Sequence, residues 1–174
     1  MNIIIVGEPG SGKSTLIRKL LDHIHLVTYG IVTIKEPPDE KGNESVYIHD
    51  FNGERLHSAQ NLIGNVSSQG SVSFPEVFDR EGVRLLSDIP LHSFVVIDEL
   101  GIMENKAQLF QESVFNLLDS DYLVIAAVKP KQTAFLDAVR GHGKSMVFWI
   151  DHKNRNQVLE EIIELGLEQY RILS

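Results

Sequence analysis

The chain has 174 residues, 43% of them hydrophobic and 23% charged, with a formal net charge of −8 and no cysteine. That is room for one domain with a real core and a small insertion, and it excludes a disordered chain, a collagen-like chain and a coiled-coil rod. The acidic balance disfavours nucleic acid as a partner, because phosphate neutralisation needs clustered cations. No apolar run reaches the roughly 20 residues of a bilayer-crossing helix, so no membrane partner is expected. With neither thiols nor a signal-peptide pattern, the expected location is cytoplasmic.

The first element is Asn2–Val6, apolar after its first residue, which fits a strand covered on both faces of a parallel sheet. A glycine-rich turn follows. Leu16, Ile17, Leu20 and Leu21 then recur at helical spacing and predict a helix over Ser14–His23. Two β-branched or aromatic runs, Gly30–Glu36 and Ser45–Asp50, flank the turn-forming segment Pro37–Asn43 and predict a hairpin with an exposed tip. Asp50–Ser73 shows no usable period and receives no element. The expected organisation is therefore one domain over residues 1–174, with a hairpin-containing insertion at about 30–73.

Regular patterning resumes at Phe74–Ser87, read as a helix with Pro75 in its first turn. Phe94–Ile97 is a buried strand, Lys106–Leu118 a helix, Tyr122–Val128 a third core strand and Gln132–Arg140 a helix. Met146–Ile150 is the fourth core strand, and Asn154–Leu165 closes the pattern as an amphipathic helix. Strands alternating with helices predict an α/β fold: a three-layer αβα sandwich around a mainly parallel sheet, with the β-hairpin added antiparallel.

The turn after the first strand reads Gly7-Glu8-Pro9-Gly10-Ser11-Gly12-Lys13-Ser14, followed by Thr15, and satisfies G-x-x-x-x-G-K-[ST] at every position. Its glycines permit dihedrals that aim backbone N–H groups into one concavity, and the following helix adds the positive end of its dipole. In this reading Lys13 reaches the β- and γ-phosphates of a nucleotide and Ser14 ligates Mg²⁺. Glu8 brings negative charge to the loop and is expected to point outward. The strand Phe94–Ile97 runs into Asp98 and Glu99. Crevice ligands meet the C-terminal ends of strands, which suits Asp98 to Mg²⁺ and Glu99 to an attacking water. Glu104 reads equally well as a further site carboxylate or as the negative charge at a helix start.

Together these segments resemble the THEP-type nucleoside-triphosphatases, a P-loop NTPase family that includes the human cancer-related NTPase. The resemblance rests on the phosphate loop, on Gly30-Ile31-Val32-Thr33, and on Val96-Ile97-Asp98-Glu99-Leu100-Gly101-Ile102-Met103-Glu104, which is similar to the family pattern I-D-E-[IL]-G-x-M-E. It implies slow, Mg²⁺-dependent hydrolysis of several nucleoside triphosphates, ATP and GTP among them, with loose base preference. The chain departs from the family where arginines are usual. Ile34-Lys35-Glu36-Pro37-Pro38 and Gly42-Asn43-Glu44-Ser45 carry none, and Lys129-Pro130-Lys131 stands where a His-Arg pair is common. Lys129 and Lys131 are thus the candidate cations for the transition state.

Two other readings stay open on the sequence. A nucleotide or small-molecule kinase would need water kept out, yet the arginines are scattered and form no lid cluster. An accessory ATP-binding module would regulate a protein partner that the sequence does not identify. The guanine-reading Asn-Lys-x-Asp motif is missing, since Asn105-Lys106-Ala107-Gln108 lacks the aspartate.

Overall fold

Five strands pair in parallel from the centre to one edge of a mixed eight-stranded sheet. The computed structural model describes residues 1–24 and 26–167. The strands are β1 (Asn2–Val6), β2 (Thr28–Lys35), β3 (Glu44–Asp50), β4 (Leu62–Ser67), β5 (Gly70–Ser73), β6 (Phe94–Leu100), β7 (Leu123–Val128) and β8 (Ser145–Trp149), in the spatial order β5-β4-β3-β2-β6-β7-β1-β8. The helices are α1 (Lys13–Leu21), α2 (Pro75–Val77), α3 (Val83–Leu85), α4 (Gln108–Asp119), α5 (Ala134–Arg140) and α6 (Arg155–Ile162).

Side-chain alternation divides the core between the two faces of the sheet. Ile3 and Ile5 pack with Leu16, Ile17 and Leu20 of α1 and with Val158 and Ile162 of α6. Ile4 and Val6 join the opposite layer, with Phe110 and Val114 of α4 and Phe135 and Val139 of α5. That arrangement explains why β1 reads as a continuous apolar run: both of its faces are covered. The α/β, three-layer reading holds, and so does the antiparallel addition.

The addition is larger than a hairpin. β2 pairs parallel with β6 on one edge and antiparallel with β3 on the other, so it belongs to the core sheet as well as to the extension. The stretch left without an element contains β4 and β5, which continue the antiparallel ladder outward from β3. Their residues escaped the pattern because Leu62–Ser67 includes Gly64, Asn65 and Ser67, and Gly70–Ser73 offers a single apolar residue, Val72. The expected helix over 74–87 is also divided. Single turns α2 and α3 are joined by a wide five-residue turn, Phe78–Gly82, whose buried Phe78 ring lies 5.2 Å from the Phe110 ring. Asp79 in that turn accepts a hydrogen bond from the Phe110 backbone N–H at 2.9 Å, which satisfies an otherwise orphaned donor at the start of α4.

One topological fact places the site. β7 lies between β1 and β6, so the residues leaving β7 emerge between the loop after β1 and the carboxylates at the end of β6.

Candidate active site

The loop from Gly7 to Gly12 turns the chain from the C-terminal end of β1 into α1. Gly10 and Gly12 take φ values of 81° and 99°, in the left-handed region where a side chain is strained. Glu8 is exposed, as expected of an outward carboxylate, and Pro9 and Gly10 are exposed beside it. Ser11 is buried against Gly7, while Ser14 and Thr15 lie open on the first turn of α1. Lys13 points back into the loop with 4% exposure. Its ammonium donates to the Gly7 carbonyl at 2.7 Å and the Glu8 carbonyl at 3.0 Å, and pairs with Glu99 Oε2 at 2.7 Å.

The carboxylates owe their placement to an irregularity in β6. Ile97 and Leu100 both face the α4/α5 layer, so an extra residue stands between them, and the register with β7 slips between Asp98 and Leu100. Irregular steps of this kind re-aim side chains at strand ends. Asp98 Oδ1 accepts the Ser14 hydroxyl at 3.1 Å. Burial raises the Asp98 carboxyl above its ordinary range, and the Ser14 hydrogen bond opposes that shift. Glu99 donates its backbone N–H to the Thr33 hydroxyl at 3.3 Å, and its carboxylate bridges Lys13 to Lys129, whose ammonium lies 3.2 Å from Oε1.

A cavity of about 350 Å³ opens among Gly10, Gly12, Lys13, Ser14, Asp98 and Glu99. A hydroxyl and a carboxylate facing it form an all-oxygen pair. This donor set suits Mg²⁺, which completes an octahedron with waters and substrate phosphates more readily than with a protein cage.

Of the two candidate lysines, only Lys129 reaches the carboxylates. Lys131 is exposed, and its carbonyl and that of Lys129 both accept hydrogen bonds from the Arg140 guanidinium, at 2.8 and 3.2 Å. Arg140, on the last turn of α5, therefore fixes the backbone from which Lys129 extends. Gly101 permits the Lys129 stem to lie against it: a Cβ there would come within 3.1 Å of the lysine Cδ. The fold also brings Thr33, from the Gly30–Thr33 segment, beside Glu99, and Arg140 beside the Lys129 backbone. The signal for Thr33 was the parallel pairing of its strand, which sets Val32 opposite Asp98 and the threonine beside Glu99. For Arg140 the sequence held no signal beyond a cation at a helix end.

Glu104 sits apart from the phosphate-facing cavity. It is 2% exposed and accepts the Gly101 N–H at 3.0 Å. Burial pushes its carboxyl up to about 7, against the pull of the backbone hydrogen bonds and of Lys129. The proton is held more tightly in the folded chain than in the unfolded one. Stability from this group is therefore complete below the ordinary value of 4.5 and is lost as pH rises through about 7. The loss approaches about 3 kcal/mol. Glu104→Gln keeps an acceptor for Gly101 without the ionisation, so the decline in urea stability between about pH 5 and about pH 8 should flatten. A variant with the parent's decline would assign it to other groups.

A strand, glycine-rich loop and helix within the parallel part of a mixed sheet, set against a strand-end carboxylate pair, define the P-loop NTPase fold. Residues 2–163 match the family model described as NTPase. The chain is 30% identical over 168 residues to nucleoside-triphosphatase THEP1 of Thermotoga maritima, covering 95% of each, and 29% identical over 178 residues to THEP1 of Methanothermobacter thermautotrophicus, again covering 95% of each. It is 26% identical over 182 residues to the cancer-related nucleoside-triphosphatase homolog of Mus musculus, covering 93% of this chain and 94% of that one. The crystal structure of THEP1 from Aquifex aeolicus superposes with a TM-score of 0.73 at 21% identity, covering 95% of this chain and 98% of that one. The chain belongs to this THEP-type nucleoside-triphosphatase family.

Proposed function

We propose that the chain hydrolyses nucleoside triphosphates, ATP and GTP included, to the diphosphate and phosphate, slowly and with loose base preference. The observation that carries this reading is the Glu99 carboxylate, held between two ammonium groups beside a cavity lined by the glycine-rich loop. The backbone N–H groups of Gly10, Gly12, Lys13, Ser14 and Thr15, at the turn into α1, receive the phosphates. Lys13 leaves its carbonyl acceptors for the β- and γ-phosphates. Ser14 and Asp98 would hold Mg²⁺, which would supply charge neutralisation for the phosphates. Glu99, released from Lys13, orients a water and accepts its proton as the water oxygen closes on the γ-phosphorus and the bond to the β,γ-bridging oxygen breaks, releasing the diphosphate.

Lys129 is the cation for charge that develops on the γ-phosphoryl oxygens. Lysine offers a point charge where arginine offers a planar fork, so its stabilisation is the weaker of the two and turnover is slow. Lys129→Ala should lower kcat by ~10–10² with a smaller change in KM, and Lys131→Ala should do much less, since only Lys129 touches Glu99. Equal losses in both variants would remove this distinction.

No helix among the described residues is long and apolar enough to cross a membrane. A cytoplasmic location accords with the cysteine-free sequence. Phosphate release measured across ATP, GTP, CTP and UTP, with Mg²⁺ and with chelator, tests the whole reading. Release from none of them would overturn it. Release from one base alone would overturn the loose preference.

A further inference from the structure

A second cavity, of about 250 Å³, adjoins the first and shares Pro9, Thr33 and Glu99 with it. Its far wall is apolar: Val46 and Ile63 from β3 and β4, Val66 beyond them, and Ile102 and Met103 from the loop after β6. Polar groups gather at the end shared with the phosphate-facing cavity, where Glu99, Thr33 and Lys129 converge, while Glu104, Ser71 and Lys131 line it as well.

Hydrolysis alone leaves this space unexplained. One water claims roughly 30 Å³ of liquid volume, a small part of the cavity, and an apolar wall does nothing to orient it. The nucleoside end of a triphosphate does not account for it either. The γ-phosphate is the part of the substrate nearest Glu99, so a cavity reached past Glu99 lies beyond the γ end of the chain of phosphates. Nor does the cavity serve the β-extension's own packing, since Val46 and Ile63 are already buried in the core layer behind it. What remains is room for a second small molecule, with a polar end at Glu99 and a ring-sized apolar body under β4 and β5.

We propose that this cavity binds a small alcohol with an apolar ring-sized body and that the alcohol can replace water as phosphoryl acceptor. The proposal rests on the assignment of the neighbouring cavity to a nucleoside triphosphate. The alcohol O–H gives its proton to the Glu99 carboxylate. Its oxygen forms a bond to the γ-phosphorus while the bond from that phosphorus to the β,γ-bridging oxygen breaks, so a phosphate monoester and a nucleoside diphosphate are the products. Lys129 stays beside the carboxylate and the transferring group throughout. The β3–β5 extension supplies the apolar wall, which gives a role to the part of the chain whose sequence carries no motif.

The test uses the intact protein with Mg²⁺ and ATP labelled at the γ-phosphate, in the presence of benzyl alcohol or cyclohexylmethanol. The label should divide between inorganic phosphate and the alcohol's phosphate monoester, with the ester share rising and then saturating as alcohol is added. Val66→Phe fills the cavity from its apolar wall and Ser71→Tyr narrows it from exposed β5. Each should cut the ester by about 10-fold or more while phosphate release stays within about twofold of the parent. Inorganic phosphate as the sole product with both alcohols overturns the acceptor site and leaves hydrolysis standing. Absence of both products overturns the hydrolysis reading and this one with it. Variants that alter the preference among nucleoside triphosphates, with no change in ester, would give the cavity to the nucleobase and overturn the proposal.

Discussion

Glu99→Gln is expected to lower turnover by ~10²–10⁴, the range for loss of a positioned general base, while affinity for the triphosphate holds or tightens. The amide keeps the shape of the carboxylate and can still orient a water through its oxygen, but it cannot take the proton. Affinity should hold because the two lysines that Glu99 occupies, Lys13 at 2.7 Å and Lys129 at 3.2 Å, become freer to meet phosphate oxygens. Single-turnover hydrolysis and equilibrium binding measured on the same variant separate the two effects. A parallel fall in both would mean that Glu99 organises the cavity instead of acting on water. Hydrolysis at the parent rate would take the role of base from Glu99 and pass it to Glu104, the other carboxylate that lines the cavity beyond Glu99.

The features legible in the sequence are those fixed by local chemistry. The motif from Gly7 to Ser14 identified itself because phosphate binding by backbone requires glycine at set places, and β1, β6 and β7 because strands covered on both faces lose their polar residues. The β4–β5 pair stayed hidden for the opposite reason. An edge of the sheet that faces solvent needs few apolar residues, and β5 exposes three of its four. Contacts between distant segments were also beyond reach. That Lys129 and not Lys131 meets Glu99 depends on β7 lying between β1 and β6, and on Arg140 holding both lysine carbonyls from another helix. The division of Phe74–Ser87 into two turns follows from Phe78 packing against Phe110, a partner 32 positions away that periodicity does not register.

Lys13→Ala is expected to weaken triphosphate binding by ~10² or more, with turnover falling alongside it. In the unliganded chain the ammonium makes two hydrogen bonds to loop carbonyls and one ion pair to Glu99, all within 3.0 Å. Binding exchanges these for charge-assisted contacts to the β- and γ-phosphates, each worth about 1.5–3 kcal/mol. Alanine forfeits that gain and leaves the phosphates facing Glu99 without the cation between them. The fold should survive. Glu99 keeps Lys129 as a partner, and the Gly7 and Glu8 carbonyls can turn to water in an open cavity. The thermal midpoint should accordingly move by only a few degrees, the size of a change of about 1 kcal/mol in a chain of this length. Binding by calorimetry and melting by circular dichroism decide between the alternatives. Parent-like affinity in a folded Lys13→Ala protein would end the assignment of this cavity to a triphosphate. Loss of folding would mean that the lysine serves first to close the loop on β1.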